Sequence, residues 1–213
     1  MKISIQIISV ILISIALHSC AQPTKKEFIG KITYSISVES KTPNATSAEI
    51  QSMYGDTMVS HIKNGNFKYI YNGMGIQQAI YLKSTNTEYD IIKDKDTLYT
   101  TDWSKEDRPL TSSEISEDAE DVLGRKCKKI THTISTTKNE YWYDESIYVP
   151  ADNFKQAKFS HTNVYYEKAQ SPYIKFKYTG NSFILTLTAI DIEEMPIDDS
   201  IFELPNYPQK VLE

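Results

Sequence analysis

Short stretches in which apolar and polar residues alternate recur along most of the chain, and they constrain the fold more than any other feature. The clearest case is residues 28–39, where one face carries Phe28, Gly30, Ile32, Tyr34, Ile36 and Val38 and the other carries Lys31, Thr33, Ser35, Ser37 and Glu39. A period of two places successive side chains on opposite faces of a β-strand. We therefore predict a strand here with one buried face.

Further strand-like stretches follow, and short polar turns join most of them. We predict strands at residues 57–63, 67–71, 79–83, 88–93, 98–103, 125–134, 140–144, 164–167, 173–179 and 182–194. Asn64-Gly65 and Gly180-Asn181 are tight-turn sequences, because their residues tolerate positive φ. Connections this short join antiparallel neighbours, whereas parallel strands need crossover helices. The high count of 15 Tyr against 7 Gly strengthens the β bias.

Two segments are predicted to be helical, and one is predicted to lie outside the sheet. A short helix is expected to begin at Thr46 or Ser47 and to end at Gly55, and a second helical stretch is expected near residues 152–156. Residues 104–121 carry seven acidic side chains but lack the spacing of a calcium loop, so a solvated loop or short exposed helix is predicted. Both faces of the last strand carry aliphatic residues, which predicts a central strand covered on both sides.

The first twenty residues have the pattern of a secretion signal. Met1-Lys2 is followed by fifteen uncharged residues, a run shorter than the roughly 20 that a membrane-spanning helix needs. The run ends in Leu17-His18-Ser19-Cys20, which resembles the lipobox of bacterial lipoproteins. The resemblance implies a signal peptide at 1–19, lipidation of Cys20, and a tether over 20–27. The alternative is an ordinary signal peptide with a chance cysteine near its end.

Charge and motif content favour a protein that is not an enzyme. The formal net charge of -5 argues against nucleic-acid binding, which normally uses a basic surface. His61, His132 and His161 lack the spacing of a metal site, and no nucleophile elbow, phosphate loop or dinucleotide motif occurs. We predict no metal and no cofactor. His132 and His161 are predicted at surface or wall positions of strands, and Cys127 is predicted to be a buried residue pointing inward from a strand.

Three further segments together resemble a group of uncharacterised Bacteroidota lipoproteins. They are residues 123–129 (LGRKCKK), 140–143 (EYWY) and 198–205 (DDSIFELP). This group is similar in layout to the LolA-like and LolB-like lipoprotein carriers. The resemblance implies, for residues 28–213, a mainly β fold. It would be a single strongly curved antiparallel sheet of about ten strands, a half-open β-barrel with a few short helices on its concave face.

The resemblance does not fix a function, and our first hypothesis is a non-catalytic, membrane-anchored lipoprotein of the cell envelope. It would bind an acyl chain or another apolar ligand in its hollow, in lipid or lipoprotein transport or in envelope maintenance. Candidate ligand contacts are Tyr141, Trp142, Tyr143, Leu185 and Leu187. The tyrosines Tyr69, Tyr71, Tyr165 and Tyr166 are further candidates for the wall, since Tyr combines apolar area with one hydrogen-bonding end.

Two further questions stay open at the level of sequence. The alternative to ligand binding is that the protein's own helices fill the hollow. In this hypothesis the protein is a structural or interaction subunit that docks an unidentified protein partner. Attachment would be to the outer membrane through the lipid anchor. The residues directly after Cys20 lack an acidic cluster, which favours the periplasmic face.

Overall fold

The computed structural model describes residues 25–212. The signal peptide 1–19, Cys20 and most of the predicted tether lie outside the described residues. The described strands are β1 (Gly30–Ser40), β2 (Thr57–Lys63), β3 (Asn66–Tyr71), β4 (Ile76–Leu82), β5 (Thr87–Ile92), β6 (Leu98–Asp102), β7 (Leu110–Ser116), β8 (Lys128–Ile134), β9 (Thr137–Tyr143), β10 (Tyr173–Thr179), β11 (Phe183–Glu194) and β12 (Gln209–Val211). The α-helices are α1 (Ser47–Tyr54) and α2 (Thr162–Ala169), and short 3₁₀ helices cover Ala151–Phe154, Phe159–His161 and Asp199–Phe202. Within residues 25–212 no helix is both long and apolar enough to cross a membrane.

All the strands belong to one sheet, in the order β12-β6-β5-β4-β3-β2-β1-β11-β10-β9-β8-β7. Every neighbouring pair is antiparallel except β12 and β6, which are parallel. The sheet is strongly curved and does not close on itself. The predicted mainly β fold is confirmed, with twelve strands rather than about ten. Residues 25–212 thus contribute all their described strands to one hydrogen-bonded sheet.

The curvature is large enough to bring distant strands together. The hydroxyl of Tyr173 in β10 donates to that of Tyr69 in β3 at 3.3 Å, although β2, β1 and β11 lie between these two strands. The face that carries both tyrosines is therefore the concave one. The larger core cluster fills this face beneath α2. A smaller cluster on the other face packs β4, β5 and β6 against Asp199–Phe202.

The predicted turn at Asn64-Gly65 and the predicted helix α1 both form, and the local sequence explains each of them. Asn64 and Gly65 join β2 to β3 with φ of 52° and 82°, the left-handed conformation that this dipeptide accepts. Thr46 caps α1 by accepting from the backbone of Glu49, whose carboxylate accepts from the backbone of Thr46 in return. Gly55 ends the helix with φ of 83°. These local predictions are confirmed.

The predicted strand at 164–167 is wrong, because these residues form the middle of α2. Val, Tyr and Tyr favour strands when considered alone, but the helix buries Tyr165, Tyr166 and Ala169 against the concave face. The strand position predicted for His161 is wrong for the same reason. His161 has a left-handed conformation just before α2, is 4% exposed, and has Nε2 2.7 Å from the carbonyl oxygen of Arg108.

The loop or helix predicted at 104–121 is also wrong in its centre, where β7 forms an edge of the sheet. Backbone hydrogen bonds to β8 hold this strand in the sheet. Its side chains are mostly polar and exposed, so the sequence lacks the alternation of apolar residues that would predict a strand. The prediction that β11 is central is confirmed by its place between β1 and β10. Its outer face is not covered at Ile190, however, which is 54% exposed.

Candidate functional site

The concave face and α2 line a half-open cavity of about 330 Å³. This volume falls within the roughly 300–1,000 Å³ of small-molecule sites. Ten of its fourteen lining residues are aromatic, contributed by strands on both sides of the curve and by the segment that leads into α2. Six of them are tyrosines: Tyr69, Tyr71, Tyr141, Tyr165, Tyr166 and Tyr173.

The aromatic walls are packed against one another and remain uncharged. The ring centroid of Tyr141 lies 4.6 Å from that of Tyr165 and 5.1 Å from that of Phe176. Burial raises the pKa of Tyr173 to about 12 and raises the pKa of Tyr69 well above its ordinary value. Both hydroxyls therefore stay protonated at neutral pH, and the wall offers apolar ring surface with a few hydroxyl groups.

Asn139 in β9 brings an unpaired polar atom to this aromatic wall. Its residue surface is 5% exposed, and its Nδ2 donates to the hydroxyl of Tyr141 at 3.1 Å. Its Oδ1 has no hydrogen-bond partner among residues 25–212. A buried amide oxygen without a partner is unfavourable, so a donor on a bound molecule would stabilise this wall.

Glu88 in β5 brings a carboxyl to the opposite side of the cavity. Asp90 lies two residues further along the same strand, so both side chains share the concave face. Burial raises the pKa of both carboxyls, and the charge of Asp90 raises that of Glu88 further. Neither carboxyl forms an ion pair within the part of the chain that the structure describes.

His132 lies behind the cavity wall, opposite Asn139 in the β8–β9 pair. It is fully buried, and both ring nitrogens lack partners among the described residues. Burial, followed by the charges of His161 and Lys168, lowers the pKa of His132 to about 4. The imidazole is therefore neutral at physiological pH, and its ring meets that of Tyr141 edge-on at 5.3 Å. His132 thus lies in a strand, as predicted, but it is buried beside the cavity lining and occupies neither a surface nor a lining position.

A second, apolar pocket of about 250 Å³ adjoins the aromatic cavity at Tyr71, which lines both. Its other residues come from α1, β4 and β5 and include Met53, Ile76 and Ile92. Met53 is 50% exposed, so this pocket opens to solvent at an apolar rim. In β5, Asp90 lies between Glu88, which lines the aromatic cavity, and Ile92, which lines the apolar pocket.

The structure separates the residues that sequence reasoning had grouped as ligand contacts. Tyr141 lines the cavity, whereas Trp142 lies on the other face of the sheet, between the ammonium groups of Lys129 and Lys175 at 5.2 and 4.8 Å from its ring centroid. Tyr143 is 2% exposed and packs edge-on against Tyr165 without lining this cavity.

Leu185 and Leu187 belong to the core of the concave face beside the cavity. Leu187 is 4% exposed and pairs with Phe176, a lining residue, across β10 and β11. These leucines therefore flank the lining residues without lining the cavity themselves. Of the tyrosines predicted for the wall, Tyr69, Tyr71, Tyr165 and Tyr166 all line the cavity.

Sequence reasoning did not identify Glu88, Asn139, Tyr173 or Phe176 as part of the site. One signal was available for Glu88: β5 carries two acids on one face, while Tyr89 and Ile91 on the other face are buried. Acids on the inner face of a strand that is buried on both sides are unusual. The remaining three depend on how the sheet curves, which no local pattern reveals.

The described residues contain no group of three metal-ligating side chains placed to hold an ion. Cys127 is 3% exposed, just before β8, and burial raises the pKa of its thiol. Its predicted burial is confirmed, although it precedes the strand. A raised pKa leaves the sulfur as a thiol, which is the less reactive form.

Comparison with known proteins gives structural likeness without sequence likeness. No family model and no curated protein matches the chain. PNGF-II is similar over 87% of this chain and 31% of its own, with TM-score 0.47 and 11% identity. The chain thus spans about a third of the length of PNGF-II. The lipoprotein LppX of Mycobacterium tuberculosis is similar over 80% of this chain and 89% of its own, with TM-score 0.35 and 11% identity. LprF of Mycobacterium bovis is similar over 80% of this chain and 88% of its own, with TM-score 0.33 and 9% identity. Likeness at these scores carries no argument about family or function.

Proposed function

We propose that this protein is a non-catalytic lipoprotein of the cell envelope whose concave cavity binds an apolar ligand such as an acyl chain. The observation that carries the proposal is the cavity of about 330 Å³ with ten aromatic residues in its lining. Such walls suit apolar chains, because each methylene removed from water contributes about 0.8 kcal/mol. The apolar pocket beyond Tyr71 would extend the same site towards solvent.

The anchor is the second part of the proposal and is supported by the sequence alone. Cys20 ends a lipobox-like segment after a signal-like apolar run. Two or more acyl chains on this cysteine would hold the folded unit stably at a membrane. We propose the outer membrane, with the protein on its periplasmic face. A role in lipid or lipoprotein transport, like that of the carriers it resembles, or in envelope maintenance would follow.

A specific observation favours the alternative, in which the protein is an interaction subunit. Helix α2 already covers much of the concave face, and the rings of Phe154 and Tyr166 stack there at a centroid distance of 3.8 Å. Met53 and Met74 are 50% and 60% exposed near the open rim. In this alternative the cavity stays unoccupied by any ligand and the exposed methionines contact a protein partner.

A direct test uses the chain from residue 20 onward with Cys20→Ser, so that no acyl chain is attached, hereafter the lipid-free chain. Fluorescence titration with dansyl-undecanoic acid would measure binding to the cavity. Thr162→Trp places a large ring in the cavity that Thr162 lines, and Glu167→Trp adds the same ring at an exposed position of the same helix. We expect Thr162→Trp to abolish binding and Glu167→Trp to preserve it.

The complementary test uses the full lipidated chain purified from a producing cell. Native mass spectrometry with lipid extraction would detect a ligand retained in the cavity. A lipid retained at a ratio near one to one, and lost in Thr162→Trp, supports the proposal. If neither protein retains a lipid and the dansyl probe does not bind, the interaction subunit is the better account.

A further inference from the structure

We propose that the paired carboxyls of Glu88 and Asp90 are the headgroup site of this cavity, and that they select an amphiphile with a protonated amine. The inference rests on the proposed function, because it assumes that the cavity binds a ligand. It adds the chemical class of the ligand's polar end and the place in the cavity where that end lies.

The first step is the position of the two carboxyls. Glu88 lines the aromatic cavity, and Ile92 lines the apolar pocket beyond Tyr71. Asp90 lies between them on the same face of β5. Glu88 therefore lines the aromatic cavity, and Asp90 lies beside it on the side of the apolar pocket, so a ligand with its head at this pair can extend its chain into the aromatic cavity.

The second step is that both carboxyls lack a countercharge. Asp90 is 8% exposed, and neither it nor Glu88 accepts a side-chain hydrogen bond or forms an ion pair within residues 25–212. Buried carboxylates are otherwise paired or hydrogen-bonded in proteins. A cation on a bound ligand would supply the countercharge that these carboxyls lack among the described residues.

The third step is independent of the acidic pair and comes from Asn139, on the far wall of the same cavity. Its side chain is buried and its Oδ1 has no partner among the described residues. Asn139 thus adds an unsatisfied acceptor on the wall opposite Glu88, while Trp103, which also lines the cavity, carries an indole N–H without a partner among the described residues. A ligand ammonium donates hydrogen bonds to these acceptors and favours the ionised form of the carboxyls, whereas a carboxylate head would bring a third acid beside the pair.

The fourth step concerns the rings beside the carboxyls. Glu88 is near enough to Tyr71 and Tyr173 for its charge to raise the pKa of both hydroxyls. An ammonium placed against the faces of such rings is attracted by their π electrons, and more strongly where water is excluded. Carboxylates and aromatic faces together distinguish an amine from an alcohol of the same length.

The experiment compares octylamine, octanol and octanoate on the lipid-free chain by isothermal titration calorimetry. We expect octylamine to bind about tenfold more tightly than octanol, and octanoate to bind more weakly than either. Glu88→Gln and Asp90→Asn keep the shape of each side chain while removing its ability to ionise against a bound ammonium. Each is expected to reduce octylamine binding to within about threefold of octanol and to leave octanol binding unchanged. Glu106→Gln, at an exposed residue between β6 and β7, is the matched control and should change nothing.

The outcomes separate this inference from the proposed function. Equal binding of octylamine and octanol, or an octylamine preference that survives Glu88→Gln and Asp90→Asn, overturns the headgroup site while leaving ligand binding intact. Failure of all three probes and of dansyl-undecanoic acid to bind overturns both. Thermal unfolding of each variant confirms that the fold is retained, which is expected because neutral amides replace unpaired carboxyls.

Discussion

Tyr141 and Trp142 are consecutive residues of β9, yet their side chains lie on opposite faces of the sheet. Tyr141 lines the aromatic cavity, and Trp142 packs between Lys129 and Lys175 on the other side. The alternation of the strand thus places two similar aromatic residues in different environments. Matched substitutions of these two residues therefore separate an effect on ligand binding from an effect on general stability.

We predict that Tyr141→Leu weakens binding of dansyl-undecanoic acid by roughly three- to tenfold, because it removes a ring from the cavity wall. Trp142→Leu is the matched control, with the same replacement one residue away, and should leave the dissociation constant unchanged. Fluorescence titration of the lipid-free chain measures both. An equal loss in the two variants would mean that the aromatic cavity is not where the probe binds.

The buried His132 predicts an acid-dependent loss of stability. Its pKa is about 4 in the folded protein and 6.5 in the unfolded chain. Between these values the unfolded chain binds more protons, so the free energy of unfolding falls as the pH falls, by about 3 kcal/mol in total. His132→Leu should remove this dependence and make the protein more stable than the wild type near pH 5. Urea unfolding at several pH values measures the difference. A difference that is the same at every pH would contradict the assignment to His132.

Glu88 predicts a pH dependence of the opposite sign. Its pKa is raised in the folded protein, so the folded state holds a proton that the unfolded chain has lost, and stability falls as the pH rises through the raised pKa. Glu88→Gln cannot ionise. We expect the variant to match the wild type near pH 5 and to exceed it by at least about 1 kcal/mol near pH 9, since one pKa unit is worth about 1.4 kcal/mol. Glu106→Gln should show no such divergence, and a wild type that is as stable as Glu88→Gln near pH 9 would argue against a raised pKa of Glu88.

Gly30, at the start of β1, predicts a steric effect on stability that is independent of the cavity. A Cβ on Gly30 would lie 2.1 Å from the carbonyl oxygen of Glu193 in β11 and 2.8 Å from the ring of Phe28. Gly30→Ala should therefore cost about 2 kcal/mol or more of unfolding free energy. Ser37→Ala, at an exposed position of the same strand, should stay within about 0.5 kcal/mol of the wild type. Urea unfolding compares the two, and equal stabilities would show that β1 and β11 can separate locally without cost.

The two elements that were predicted wrongly from the sequence show that tertiary contacts can determine secondary structure against the local sequence pattern. Residues 164–167 have strand propensity, yet they form α2, because a helical turn there buries Tyr165 and Tyr166 against the concave face. The segment around β7 is polar, yet it forms an edge strand, because backbone pairing with β8 requires no apolar side chains. In both cases a tertiary contact overrides the local pattern.

The sequence by itself determined most strands, the Asn64-Gly65 turn and the cap of α1, because period-two alternation, positive φ and capping hydrogen bonds act within a few residues. It also pointed to a tyrosine-rich hollow. Only the tertiary structure decided that Tyr141 and not Trp142 lines that hollow, and that Glu88 and Asn139 meet it from opposite sides. These placements depend on the curvature of the sheet, which brings strands far apart in its order to the two walls of one cavity.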